Sequence, residues 1–124
     1  MTYQWDNKKP TAQMLGRWQP FHDGHYTLFK EIIKKTGQVC IQIRDVQGVD
    51  DNPFDFDTVK RNIEDRLNPE FEGRFKIILV PNITNICYGR GVGYKIEEIV
   101  LDEETQKISA TKIRAKMREE GKLK

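Results

Sequence analysis

Residues 12–35 read AQMLGRWQPFHDGHYTLFKEIIKK, and the hydrophobic period changes once along them. Residues 12–18, AQMLGRW, are an apolar run of the length of a short buried strand, which Gln19, Pro20 and Phe21 interrupt. From Gly24 to Lys35 the residues Leu28, Phe29, Ile32 and Ile33 recur at the spacing of one helical face, and Gly37 stands where a helix stops. The unit is strand, turn, helix. It recurs downstream. Residues 39–43 are a second β-branched run, residues 45–53 (DVQGVDDNP) have loop composition, and residues 57–67 (DTVKRNIEDRL) are amphipathic behind an Asp. Residues 75–80, FKIILV, are the most apolar run of the chain and end at Pro81. Strands alternating with helices predict a parallel sheet joined by right-handed crossovers.

Beyond Pro81 the pattern loosens. Residues 82–94 (NITNICYGRGVGY) are mixed, and Ile96, Ile99, Val100 and Leu101 are read as a further short strand. A parallel neighbour normally needs a connection of about a dozen residues, and no full helix fits before this run, so four and five strands both stay open. Residues 102–107 read as a loop, and residues 109–120 (SATKIRAKMREE) as a last helix with Ser109 as its cap and Gly121 as its stop. The expected architecture is an α/β, Rossmann-like three-layer domain with a four- or five-stranded parallel sheet. Residues 1–10 form a loosely held arm and residues 11–124 a single domain.

Composition narrows the class. Hydrophobic residues make up 37% and charged residues 32%, a globular chain with a small core under a charged surface. Such a balance favours pairing into a homo-oligomer. The net charge of +2, from 21 basic and 19 acidic residues, gives no reason by itself to invoke nucleic acid or membrane. Cys40 and Cys87 lie in apolar contexts with no metal-ligand spacing and read as buried hydrophobes without a disulfide. With no signal-like run and no apolar stretch near the ~20 residues of a membrane span, the chain is expected in the cytoplasm.

The candidate site lies at the first strand-to-helix turn, GRWQPFHDGH, residues 16–25. Ligands of open parallel sheets bind beyond the carboxyl ends of the strands, where a helix N-terminus offers unpaired N–H groups to phosphate. Gly16 would let the backbone approach a nucleotide, and His22 and His25, on either side of Gly24, can face one phosphate cluster. The stretch resembles the HxGH signature of the HIGH-type nucleotidyltransferase superfamily (HUP-type domains), and ISATKIR, residues 108–114, is similar to its C-terminal ISSTxIR signature. One HxGH alone is weak; two signatures in order at opposite ends of one domain are specific.

The resemblance implies transfer of a nucleoside monophosphate from a nucleoside triphosphate to a small phosphate-bearing acceptor, with release of pyrophosphate. Mg²⁺ would arrive with the triphosphate, and no metal site belongs to the protein. Carried over by position, His22 and His25 stabilise the transition state, while Ser109, Thr111 and Arg114 hold the outgoing phosphates. Gly16, Arg17, Trp18, Gln19, Phe21 and Gly24 line the triphosphate. The GRxQPFH form is similar to adenylyltransferases that make NAD from nicotinamide mononucleotide. Gln47 and the run Asn52, Pro53, Phe54 resemble their loop before the second helix, and Arg61 lies near a helix arginine aimed at phosphates. CYGRGVGY replaces the usual nucleotide-recognition segment, so a cytidylyltransferase using CTP with an alcohol or sugar phosphate stays open. A noncatalytic nucleotide- or RNA-binding module is the alternative of another class.

Plainer readings stand beside these. Arg61 could pair with Glu64 or Asp65 on its own helix, and Trp18 could be core rather than a base platform. Asp50, Asp51, Asp55 and Asp57 fit no calcium loop. The glycines 89, 91 and 93 fit neither a dinucleotide fingerprint nor a P-loop, although Tyr88 and Arg90 beside them suit a base or an acceptor phosphate. The tail KIRAKMREEGKLK carries two glutamates among its basic residues, the composition of a solvated helix face, and nucleic acid is disfavoured as a partner.

Overall fold

Each helix of the protein, described here from a computed structural model covering residues 3–46, 52–90, 93 and 95–121, begins and ends where its capping chemistry allows. Strand β1 (Ala12–Gly16) leads into helix α1 (Asp23–Thr36). That helix closes at Gly37, whose φ of 81° lets its N–H reach the Ile33 carbonyl at 2.8 Å. Glycine takes this left-handed backbone without steric cost. Strand β2 (Val39–Arg44) follows, then helix α2 (Phe56–Phe71), which starts where the Asp55 side chain accepts the Thr58 N–H at 2.8 Å.

Helix α2 overruns the expected stop at Leu67 and carries Pro69 inside it. Proline removes one backbone donor from the ladder, and the extra turn brings Phe71 to 5.1 Å from the Phe29 ring. Aromatic burial of that kind contributes more than one lost hydrogen bond costs. Strand β3 (Phe75–Val80) has the bounds read from the sequence.

The three strands are parallel in the order β1-β2-β3, paired from Ala12↔Val39 to Gly16↔Ile43 and from Val39↔Phe75 to Arg44↔Val80. Right-handed crossovers between strands laid down in one direction put both helices on the same face. Met14, Val39, Ile41 and Ile43 share that face with Phe29, Ile32 and Ile33 of α1 and Val59, Ile63 and Leu67 of α2, in one buried cluster. Gln13, Leu15, Cys40, Gln42, Lys76 and Ile78 alternate onto the other face and are half-buried or exposed. The described residues therefore form two layers on three strands, not three layers on four or five.

The expected strand over residues 96–101 does not form. Ile96 and Val100 point to solvent, Ile99 alone packs against the core, and Glu97 reaches Lys35 at 2.7 Å. With no strand-paired backbone there, the run has nothing to hold it extended. Inside the expected loop 102–107 lies a short helix, α3 (Glu103–Gln106), and α4 (Ala110–Glu119) follows behind Ser109.

Residues 3–10, read as a loose arm, are tied down by buried Gln38, which accepts from the Tyr3 hydroxyl at 3.0 Å and donates to the Asp6 carbonyl at 2.8 Å. Cys40 and Cys87 are free thiols, and Cys87 is exposed rather than buried. No helix among the described residues is long and apolar enough to cross a membrane.

Candidate active site

The turn from β1 to α1 is built around Trp18. Its backbone has φ of 54°, its ring is 6% exposed, and its Nε1–H donates to the Gln42 carbonyl at 3.1 Å. The indole lies across Gly16, where a Cβ would meet it at 2.7 Å. Gly16 is thus a glycine because of the tryptophan, and Trp18 is a packing residue rather than an open platform for a base. Gln19, buried to 2%, donates to the Phe54 carbonyl and accepts from the Phe54 N–H, both at 2.9 Å. Arg17 reaches the Asn52 side chain at 3.3 Å. The first motif and the loop at 52–54 are one unit. Gln47 lies outside the described residues.

The two histidines cap α1 reciprocally. His22 Nδ1 accepts from the N–H groups of Gly24 at 3.0 Å and His25 at 3.4 Å, while His25 Nδ1 accepts from the His22 N–H at 3.2 Å. This is a capping box in which imidazoles replace the usual hydroxyl and carboxylate. Gly24 is needed for it, since a Cβ there would lie 2.8 Å from the His22 ring. The rings stack at 3.6 Å and 17°.

A nitrogen that accepts a backbone N–H carries no proton, so each neutral ring holds its hydrogen on Nε2. Neither Nε2 takes part in a hydrogen bond among the described residues, which leaves two oriented donors. Burial, and then the charge of neighbouring His22, push His25 down to about 3. Burial lowers His22 as well, against the opposing pull of Asp23. Both rings are neutral at pH 7.

The second motif arrives from the far end of the chain. Ser109 caps α4, accepting the Lys112 N–H at 3.4 Å, and Thr111 is exposed on the first turn. Arg114 is 3% exposed, donates to the Gln19 carbonyl at 2.6 Å across 95 residues of sequence, and reaches Thr111 Oγ1 at 3.3 Å. Read from the sequence as a pyrophosphate ligand, Arg114 is placed as a strut that joins the two motifs.

His22 opens onto a hollow of about 320 Å³ between the N-terminus of α1 and the side of α2, lined also by Phe21, Asp23, Asn62, Asp65 and Arg66, and the His25 ring stacks behind it. Arg66, not Arg61, is the α2 arginine at this hollow. It pairs with Asp23 at 2.7 Å and lies 4.0 Å over the Tyr26 ring. Arg61 is exposed beside Asp55, whose carboxyl is lowered by its Thr58 hydrogen bonds and, to a smaller extent, by Arg61. The helical spacing could have singled out Arg66, which shares a face with Asn62 one turn earlier, whereas Arg61 is turned about 140° from Arg66.

Tyr88 and Arg90 line a different hollow of about 970 Å³, shared with Ala12 and Gln13 at the start of β1 and Lys35 and Thr36 at the end of α1. That is the amino end of the sheet, opposite the histidines. Among the described residues no three His, Cys, Asp or Glu side chains cluster to hold a metal.

No protein-family model matches the chain. Part of it is similar to curated proteins of methanogens. A stretch of 45 residues is 44% identical to the nicotinamide-nucleotide adenylyltransferase of Methanococcus aeolicus, covering 35% of this chain and 26% of that protein. In two strains of Methanococcus maripaludis the enzyme of the same name is 44% identical over 36 residues, 29% of this chain and 21% of the relative. The matches thus span about a quarter of the relatives' length, and they support a nucleotidyltransferase relationship.

Proposed function

We propose that the chain is a nucleotidyltransferase that moves a nucleoside monophosphate, with ATP as the favoured donor, onto a phosphate-bearing acceptor such as nicotinamide mononucleotide. The observation that carries this reading is the pair of neutral histidines with both Nε2–H groups unengaged, at a turn braced by Arg114 from the second motif. An acceptor phosphate oxygen attacks the α-phosphorus, the bond to the bridging oxygen breaks in line, and pyrophosphate leaves with that electron pair. No covalent enzyme intermediate is required. Charge grows on the nonbridging oxygens, and two fixed N–H donors and the positive end of α1 answer it without reorganising. The histidines neither gain nor lose a proton in the step.

Partial identity to adenylyltransferases supports ATP and nicotinamide mononucleotide as the first pair to try. The test is pyrophosphate release with Mg²⁺, crossing ATP and CTP against nicotinamide mononucleotide, phosphopantetheine, glycerol phosphate and sugar phosphates. Turnover with one pair, lost in His25→Ala, is the expected result. Turnover only with CTP would make the protein a cytidylyltransferase. Triphosphate binding without turnover on any acceptor would overturn the enzymatic reading in favour of a binding module.

A further inference from the structure

Trp18 is the one described residue other than glycine with a positive φ. Bulky side chains rarely adopt that backbone, so the surrounding structure must hold it there. Three contacts do. The indole is seated on Gly16, which has no side chain to displace it. Its Nε1–H is anchored 3.1 Å from the Gln42 carbonyl on the central strand. Its ring stands 4.7 Å from the His25 imidazole, nearly perpendicular at 85°.

The His25 hydrogen bond through Nδ1 fixes one point of that ring and leaves its tilt free. Stacking on His22 at 3.6 Å restricts the tilt, and the Trp18 ring, with Phe21 at 5.5 Å, removes what remains. The path therefore runs from the sheet, through the indole, to a catalytic donor. We propose that Trp18 is a positioning residue: it transmits the rigidity of β2 to the His25 ring and keeps water from it, so that Nε2–H is held on the phosphate path. A buried tryptophan that served the core alone would have no need of a strained backbone at this turn. The burial that lowers His25 agrees with the same arrangement.

The proposal rests on His25 as a phosphate donor, and its test is chosen to stand apart from that reading. Trp18→Phe keeps a ring and loses the anchor; Trp18→Leu loses both. Histidine side-chain ¹⁵N spectra, titrated from pH 7.5 down to 2, report the His25 midpoint without any substrate. The expected result is a rise of the midpoint by more than about one pH unit in Trp18→Phe and by more in Trp18→Leu, a tenfold or greater gain in proton affinity. With the substrate pair in hand, kcat should fall about tenfold while the KM for the triphosphate stays within about twofold, as for a donor displaced only in the transition state.

If Trp18→Phe lowers the melting temperature but leaves the His25 titration and kcat unchanged, Trp18 is only a core residue and the proposal fails. Gly16→Ala is the second variant, since it unseats the ring without altering it. The same midpoint rise is expected there, and a wild-type titration in that folded variant would also overturn the claim. Absence of turnover in the wild-type protein would sink the transferase reading and leave the titration arm decisive for the positioning one.

Discussion

His22 uses opposite edges of one ring for two purposes. Nδ1 caps α1, and Nε2 stays available for a ligand. Asparagine at this position would keep an oxygen for the cap and present nothing at the far edge. His22→Asn should therefore retain stability to urea within about 0.5 kcal/mol while kcat falls roughly 10²–10³-fold; an unchanged kcat would make the ring a cap and nothing more. The buried, neutral histidines also set a direction with pH. His25 titrates at about 3 in the folded chain against 6.5 when free, and His22 is lowered too. The unfolded chain then takes up protons first as pH falls through 6.5, so stability is full above that value and declines toward 3. The slope is at most about 1.4 kcal/mol per pH unit for each histidine. Between pH 6.5 and 5 the lowered carboxylates Asp55, Glu97 and Asp102 stay ionised in both states, so a urea midpoint that is flat across this window would contradict the account.

At the scale of elements, the sequence was readable where one residue's own chemistry decides the outcome. Gly37 ends α1 through its φ, Ser109 starts α4 through its side-chain oxygen, and the apolar run at β3 stops at Pro81, while α2 starts behind Asp55 rather than at Asp57. Reading failed where a distant partner decides. The helix read as ending at Leu67 runs on past Pro69, because Phe71 finds Phe29 across the core. Residues 96–101 have the content of a strand and no strand beside them to pair with. In the site, the spacing of His22 and His25 was legible; that Gly16 and Gly24 answer to neighbouring rings, that Arg114 turns inward, and that Arg66 rather than Arg61 meets the hollow all depend on packing between elements. Asp55→Ala removes the cap of α2 and should lower the melting temperature. Because Asp55 adjoins Phe54, whose backbone pairs with Gln19, the same variant should raise the KM for substrate; thermal melts and initial rates check the two halves separately.

Across the whole molecule, burial is uneven along the chain. Among the described residues every buried hydrophobic one lies between Met14 and Leu67, and after β3 the one that is buried is Arg114. Segments with few buried contacts open locally at low free energy, so amides of residues 82–90 and 95–107 should exchange with deuterium orders of magnitude faster than those of β2. Equal protection would show that the segment packs better than its exposure indicates. Arg114→Met removes the strut and leaves the Gln19 carbonyl unpaired, a loss of about 1–3 kcal/mol. It should lower kcat strongly while the far-ultraviolet circular dichroism of the sheet and its two helices persists. The uneven burial also bears on the order in which a ribosome delivers the chain. All three strands and both crossover helices are translated before the second motif, so the scaffold's parts come first and competence arrives last, with a single arginine. A chain released early would then carry the histidines and lack the arginine that braces their turn.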